Sequence, residues 1–180
     1  MTTPTPPNAN RSARPFIIRD ARPDERAGVR DLTLRAYAEF ASIMDPASWA
    51  GLDGAVRGAL ASEAPANCIV ADDDGTLIGS VMLYPPNVGA YGDLAQAVDY
   101  PEVRLVAVAP EARGRGVARA LMDECIRRAR ARGATAIGLH TSRSMAAAMA
   151  LYARMGFERV PETDFQPAGA ELVEGYRLRL

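Results

Sequence analysis

The chain has 180 residues, 48% of them hydrophobic, which is enough for one domain with a sizeable buried core. Its 21 basic and 22 acidic side chains give a formal net charge of -1, so it lacks the general positive charge that attracts nucleic acids or anionic membranes. It also lacks a run of about 18 apolar residues, the length that a membrane-spanning helix needs. We therefore expect neither a nucleic-acid partner nor a membrane.

Residue usage restricts the chemistry. All 21 basic residues are arginine, and His140 is the only histidine. Without lysine, neither a phosphate loop of the G-x-x-x-x-G-K-[ST] type nor a lysine Schiff base can form, and one histidine cannot build a multi-histidine metal site. Cys68 and Cys125 lie in apolar segments far apart in the sequence, which is typical of reduced core thiols in a cytoplasmic protein.

The N-terminal segment differs in composition from the remainder. Residues 1–14 are rich in Thr, Pro and Asn and have no apolar stretch of the kind that a signal peptide contains. We predict a disordered tail over 1–14, a single domain over 15–180 and a cytoplasmic location.

The predicted elements alternate between strands and helices, which indicates a mixed α/β sheet with helices on both faces. The strongest strand, 103–108, is followed by a helix whose apolar stripe includes Leu121, Met122 and Cys125. Before this strand, residues 85–101 show no periodicity and form a long loop of the kind that often serves as a lid or binding element. In chain order we predict strand 16–19, helices 23–40 and 46–62, hairpin strands 68–71 and 76–83, strand 103–108, a helix ended by Gly133, strand 136–140, helix 144–155 and strand 176–180, with a further short strand at 157–160.

A glycine-rich turn joins the strongest strand to its helix, with the sequence Arg113-Gly114-Arg115-Gly116-Val117-Ala118. A helix N-terminus presents unpaired backbone N–H groups and a partial positive charge, and both suit an anion. The two glycines let the backbone approach a diphosphate closely, and the two arginines add charge. A dinucleotide fingerprint does not fit, because the third glycine of G-x-G-x-x-G is missing. We predict a phosphate-binding loop, the alternative being a tight strand-to-helix connection.

Two motifs resemble those of the GNAT superfamily of acyl-CoA N-acyltransferases. The Q/R-x-x-G-x-G/A signature of that family at the strand-to-helix junction is matched by Arg113, Gly116 and Ala118. The order of elements also agrees from residue 16 to the end. The resemblance implies a mostly antiparallel sheet of six to seven strands, flanked by about four helices, with two central parallel strands that splay apart. The second cofactor-binding segment of the family, A-x-x-L-Y-x-x-x-G-F, is matched by Ala148, Leu151, Tyr152, Gly156 and Phe157.

The resemblance further implies acetyl-CoA (coenzyme A) as the acyl donor and no metal. In such enzymes the splayed strand binds the pantetheine arm through its backbone, and the glycine-rich turn binds the diphosphate. One position departs from the family, since Met145 stands where an asparagine often contacts the cofactor. The residues carried over as cofactor-binding are Val106, Ala107, Val108, Arg113, Gly114, Arg115, Gly116, Val117, Ala118, Arg119, Ala148 and Tyr152.

Acyl transfer from a thioester to an amine needs a neutral amine, hydrogen-bond donors for the oxyanion and a proton for the departing thiolate. The resemblance assigns the proton to the Tyr152 hydroxyl, the alternative being an ordinary packed aromatic ring. Glu102 is the candidate base, and strand alternation predicts that it shares one side of its strand with Arg104, Val106 and Val108.

Other assignments of the base stay open. Glu102 could instead be a solvated carboxylate or an ion-pair partner of Arg104, and His140 or a chain of water molecules could accept the proton. The sequence does not decide among these alternatives.

We predict an N-acetyltransferase that acts on a primary amine of an unidentified small molecule or peptide by direct attack in a ternary complex. A non-catalytic acyl-CoA-binding domain and another anion-binding module, for example for a nucleotide, are the alternatives. Dimers are common in the family, so the resemblance allows a homodimer. Acidic residues in the long loop suggest a cationic acceptor. The acceptor pocket is expected in two regions and not at particular residues: the helix-to-helix region, which contains Tyr37, Phe40 and Trp49, and the long loop, which contains Tyr84, Tyr91, Asp93, Asp99 and Tyr100.

Overall fold

The computed structural model describes residues 16–63 and 66–180 of the chain. The tail predicted over 1–14 lies outside these residues and stays a prediction. The elements in chain order are β1 (Ile17–Asp20), α1 (Arg26–Tyr37), α2 (Pro46–Ala61), β2 (Asn67–Asp73), β3 (Thr76–Tyr84), β4 (Glu102–Val108), α3 (Val117–Ala131), β5 (Ala136–Thr141), α4 (Ala146–Arg154), β6 (Glu158–Arg159) and β7 (Glu174–Arg179).

One sheet contains all of these strands, in the order β1-β2-β3-β4-β5-β7-β6. Every neighbouring pair is antiparallel except β4 and β5, which run parallel at the centre. The hairpin of β2 and β3 turns at Asp74 and Gly75, whose φ values of 52° and 85° suit an Asp-Gly turn. The predicted fold class, a mostly antiparallel sheet with a central parallel pair and four helices, is therefore confirmed.

A side-chain cap sets the start of α2, and α1 is shorter than the helix predicted over 23–40. α2 begins at Pro46 because the Asp45 side chain accepts hydrogen bonds from the first backbone N–H groups. α1 is preceded by a 3-10 turn at Pro23–Glu25 and gives way to another at Ala38–Ser42. Near that second turn the Ala36 carbonyl accepts a hydrogen bond from the Arg113 guanidinium (3.4 Å), which competes with the regular helical donor.

Helices cover both faces of the sheet. α3 and α4 cover one face, where Leu121 and Met122 are fully buried against Ile137 of β5. α1 and α2 cover the other face, where Val56 of α2 packs against Leu105 of β4. Burying each such side chain stabilises the fold by about 1.5–3 kcal/mol. Within the described residues, no helix is both long and apolar enough to cross a bilayer.

Candidate active site

A β-bulge in β4 opens the sheet at its centre. Leu105 has a φ of 53°, in the left-handed region, and the register with β3 shifts at this point. A leucine in this conformation costs about 1–3 kcal/mol, which the surrounding packing must offset. β4 pairs with β5 at two positions, Glu102 with Gly138 and Val103 with Leu139, and the two strands then diverge. The edge of β4 beyond Val103 is left open toward β5.

The bulge also changes which side chains of β4 share a face. Strand alternation predicted that Glu102, Arg104, Val106 and Val108 lie on one side, and this prediction is wrong. The extra residue at Leu105 reverses the alternation, so Val106 and Val108 pack against the core beneath α3. Glu102 and Arg104 precede the bulge and keep the common face toward α1 and α2.

A cavity of about 810 Å³ follows the opening between β4 and β5. We call the part beside the glycine-rich turn and α4 the donor half, and the part beside α1, α2 and loop 85–101 the acceptor half. Met145, which replaces the asparagine common in the resembled family, also lines the cavity. The predicted cofactor-binding residues that line it are Val106, Ala107, Val108, Arg113, Gly114, Gly116, Val117, Ala118, Arg119, Ala148 and Tyr152.

The glycine-rich turn has the geometry of an anion cradle. Gly114 and Gly116 have φ values of 74° and 79°, and a Cβ at either position would meet no heavy atom within 4 Å. Gly116 is the N-cap of α3 and offers no side chain, so within the described residues no side-chain cap occupies the first N–H groups of that helix. The first helical backbone bond runs from the Ala120 N–H to the Gly116 carbonyl (3.0 Å). These N–H groups and the open space beside them fit a diphosphate.

Carboxylates hold the arginines of this turn. Arg113 forms a bidentate ion pair with Glu39, with distances of 2.7 and 2.9 Å from its two terminal nitrogens. Arg115 lies 2.9 Å from the Asp73 carboxylate and 5.9 Å from the centre of the Phe16 ring, away from the cavity. Arg115 was predicted to bind the cofactor, but it is the one member of the predicted set that does not line the cavity. Paired acids therefore offset much of the positive charge that the sequence suggests here.

Tyr152 lies where the donor and acceptor halves meet. Its side chain is 6% exposed, packs 5.8 Å from the Phe157 ring centre and lines the cavity. Burial raises the pKa of its hydroxyl well above the ordinary value of 10.0, so the group stays protonated at neutral pH. Within the described part of the chain, no hydrogen bond engages this hydroxyl. The Tyr152 O–H can therefore donate to a ligand in the cavity.

The Glu102 carboxylate lies against His140. Its Oε1 atom is 3.3 Å from His140 Nδ1, and the two side chains are 3% and 4% exposed. The ring's other nitrogen, Nε2, lies 2.8 Å from the Thr163 carbonyl oxygen, which can only accept, so Nε2 carries a hydrogen. Glu102 does not pair with Arg104, and it lies behind His140, which itself lines the cavity.

This arrangement engages both ring nitrogens of His140. With Nε2–H committed to Thr163, a neutral His140 would direct the Nδ1 lone pair at the Glu102 oxygen. The rings of Tyr91 and Phe165 pack at 4.6 and 5.3 Å from the imidazole and shield it from solvent.

The acceptor half contains some predicted residues and several that the sequence did not indicate. Both predicted regions contribute to it, through Tyr37 and Phe40 after α1 and through Tyr91 of the long loop, whereas Trp49, Tyr84, Asp93, Asp99 and Tyr100 of these regions do not line the cavity. The segment between β6 and β7 supplies Phe165 and Glu171, although no periodicity marked it. The Glu171 carboxylate accepts hydrogen bonds from the hydroxyls of Ser142 (2.7 Å) and Ser144 (3.1 Å). Within the described residues, no group of three or more His, Cys, Asp or Glu side chains could hold a metal ion.

Comparisons with known proteins agree with this geometry. A family model described as Acetyltransferase (GNAT) family matches residues 27–157. No curated protein matches the chain.

Solved structures share the fold at low sequence identity. Ribosomal-protein-alanine N-acetyltransferase from Brucella melitensis is 22% identical, with a TM-score of 0.61, and the match covers 91% of this chain and 99% of that one. PaiA N-acetyltransferase from Thermoplasma acidophilum, solved with coenzyme A, is 15% identical, with a TM-score of 0.67 and coverage of 91% and 99%. A GNAT family acetyltransferase from Brucella melitensis, solved with acetyl-CoA, is 22% identical, with a TM-score of 0.57 and coverage of 89% and 96%.

Proposed function

The chain belongs to the GNAT acetyltransferase family and is an acetyl-CoA-dependent N-acetyltransferase, and we propose that it acetylates a primary amine of a small molecule or peptide by direct attack in a ternary complex. The observation that carries this proposal is the single cavity that runs from the glycine-rich turn, past the Tyr152 hydroxyl, to the acceptor half. A cytoplasmic location and a homodimer stay predictions.

Acetyl-CoA supplies the acetyl group as a thioester, and the donor half of the cavity suits its binding. Gly114, Gly116 and the first N–H groups of α3 would hold the diphosphate. The open edge of β4 near Val106 and Val108 would bind the pantetheine amides, because β4 has no backbone partner there in β5. Met145 offers an apolar contact where the family often has an amide.

The transfer requires two proton movements. The amine nitrogen bonds to the acetyl carbon, the carbon–sulfur bond breaks, the nitrogen loses a proton and the thiolate gains one. The Tyr152 hydroxyl would donate to the sulfur, since burial keeps it protonated. The Glu102 carboxylate would accept the proton of the amine through bridging water, because both ring nitrogens of His140 are engaged, Nε2 by Thr163 and Nδ1 by Glu102.

Direct attack is favoured because neither cysteine suits a covalent acyl intermediate. Cys125 is fully buried, and burial raises the pKa of its thiol to about 12. Burial likewise raises the pKa of Cys68 to about 11. Both thiols stay protonated at neutral pH and are therefore poor nucleophiles.

Thermal unfolding with coenzyme A, ATP and NAD in parallel tests the donor site. A ligand at 100 times its dissociation constant stabilises the folded state by about 2.7 kcal/mol, so coenzyme A should raise Tm clearly and the two nucleotides should not. Thiol release from acetyl-CoA with a library of amines then separates an enzyme from a non-catalytic binding domain. Stabilisation by ATP or NAD alone would contradict the proposal.

A further inference from the structure

Arg104 is a cation on the wall of the acceptor half. It lies on β4 two residues after Glu102, is partly buried and lines the cavity. One terminal nitrogen donates to the Ala90 carbonyl of loop 85–101. The guanidinium also lies over the Tyr91 ring, 4.1 Å from its centre, and 6.0 Å from the centre of the Tyr84 ring. The side chain is thus held in place by neutral groups.

The charges around the cavity leave Arg104 without a counter-ion. Arg113 pairs with Glu39, Arg119 pairs with Asp123 outside the cavity, and Glu171 is engaged by two serine hydroxyls. Among residues 16–63 and 66–180, no carboxylate forms an ion pair with Arg104, whereas Arg113, Arg115 and Arg119 each have one, and the other unpaired arginine of the lining, Arg154, is exposed on α4 in the donor half. The charged side chains that line the cavity are Glu39, Arg104, Arg113, Arg119, Arg154 and Glu171.

An uncompensated guanidinium at a partly buried site points to an anionic ligand. Arginine has five N–H donors in a planar fork, and the Ala90 carbonyl uses one of them. Carbonyl oxygens and aromatic rings stabilise the charge but do not neutralise it. A carboxylate would accept two parallel hydrogen bonds from such a fork and supply the missing negative charge. A phosphate carries about two charges, and the acceptor half offers this one guanidinium, so a carboxylate fits the charge better.

Apolar side chains form much of the remaining wall of the acceptor half. Tyr37, Phe40, Met44 and Phe165 form its walls, which suit an apolar or aromatic group. Asp93 and Asp99, which suggested a cationic acceptor, are exposed in loop 85–101 and do not line the cavity. Those two residues therefore give no support to a cationic acceptor, and the carboxylate that does line the acceptor half is that of Glu171, bound by two serine hydroxyls.

We propose that the acceptor is an amine that also carries a carboxylate and an apolar side chain, as an apolar amino acid does, and that Arg104 binds this carboxylate. This inference rests on the proposed N-acetyltransferase function and names its substrate class. The ion pair would anchor the acceptor on β4, on the same face as Glu102 and across the strand opening from His140.

Matched acceptors test the proposal. Leucine, methionine and phenylalanine are each compared with the corresponding amide and the corresponding decarboxylated amine, with acetyl-CoA as donor and thiol release as readout. The wild-type protein should prefer at least one amino acid over its two counterparts that lack the carboxylate by at least 10-fold in kcat/KM. Arg104→Gln should abolish that preference by lowering kcat/KM for the amino acid, while activity on the amide and amine changes little. Arg104→Lys should retain part of it, because the charge remains and the fork is lost.

The preference is a ratio measured within one protein, so it does not depend on whether a variant is less active overall. Arg130→Gln removes the same charge from an exposed position of α3 and should leave the preference intact. Equal or better use of the amides and amines, or no acetylation of any of the nine compounds, would overturn the proposal. Coenzyme A stabilisation is measured in the same samples, so that a protein that binds coenzyme A but lacks the preference contradicts this inference alone. Loss of coenzyme A binding would contradict the proposed function itself.

Discussion

The carboxylate of Glu102 and the imidazole of His140 meet at 3.3 Å in a site where both side chains are at most 4% exposed. A hydrogen bond from Nε2 to the Thr163 carbonyl orients the ring, so that Nδ1 faces the carboxylate. The imidazole thereby positions the carboxylate, which is the group of this contact that can accept a proton.

Glu102→Gln should lower kcat by roughly 100-fold, because the carboxylate that takes up the proton of the amine is lost. His140→Asn should have a comparable effect, and the double variant should be little worse than either single one. Additive losses in the double variant would show that the two residues act separately.

Tyr152→Phe should lower kcat by roughly 10- to 1000-fold while the affinity for coenzyme A stays the same, because the proton for the leaving sulfur is lost and the ring is kept. The matched control is Tyr100→Phe, which removes a hydroxyl outside the cavity and should leave kcat unchanged. Wild-type activity in Tyr152→Phe would rule out the hydroxyl as proton donor.

Gly116→Ala should weaken coenzyme A binding by at least 10-fold, because the new methyl group occupies the space beside the N–H groups of α3. Gly133→Ala is its matched control. Gly133 follows the same helix with a φ of 77° and equally open surroundings. Both variants should lose about 1–2 kcal/mol of stability through left-handed strain. Calorimetric titration and urea unfolding separate the two effects, and equal affinities in the two variants would count against the cradle.

Glu39→Gln should strengthen coenzyme A binding by about 1.5- to 5-fold. Glu39 holds Arg113 in an exposed ion pair, worth about 0.2–1 kcal/mol, which must be broken before the guanidinium can reach a diphosphate. Asp53→Asn removes one negative charge from an ion pair with Arg57 on α2 and should change nothing. Weaker binding in Glu39→Gln would mean that the pair organises the turn instead of competing for its charge.

The stability of the fold should fall in acid through Glu25. Its hydrogen bond with Arg19, which also binds Asp72, lowers the pKa of the Glu25 carboxyl to about 2. A lowered pKa stabilises the folded state above the ordinary value of 4.5, and this contribution is lost as pH falls toward 2. Glu25→Gln should cost about 1.5–3 kcal/mol in urea unfolding at pH 7 and progressively less toward pH 2. The exposed Glu162→Gln should show no such trend.

Much of the fold could be predicted from the sequence because the information is local. Apolar spacing and turn residues located every strand and helix to within a few residues, and the glycine-rich turn stood out because its residues are adjacent in the chain. The bulge could not be predicted, since nothing near Leu105 distinguishes a leucine that will adopt a positive φ. One unpredicted residue was enough to reverse the facing of Val106 and Val108.

The acceptor half could be predicted only in part, for a different reason. The contact of Glu102 with His140 and the exposed position of Asp93 depend on how β4, β5 and loop 85–101 meet in space. Because Arg104 follows Glu102 by two residues on one strand, the sequence suggests an ion pair between them. In the structure, His140 of the parallel strand β5 contacts Glu102 instead. Pairings between distant segments are fixed by topology, which residue spacing does not encode.

The bulge at the left-handed Leu105 separates the sheet into two parts, β1–β4 and β5–β7. The β4 and β5 backbones pair at two residues of β4, Glu102 and Val103. A molecule whose amide groups bind along the open edge of β4 adds hydrogen bonds to the β4 backbone where β5 supplies none. Binding in the donor half would then make the two parts of the sheet more rigid relative to each other. Hydrogen exchange of the backbone amides of β4 and β5 would slow on binding.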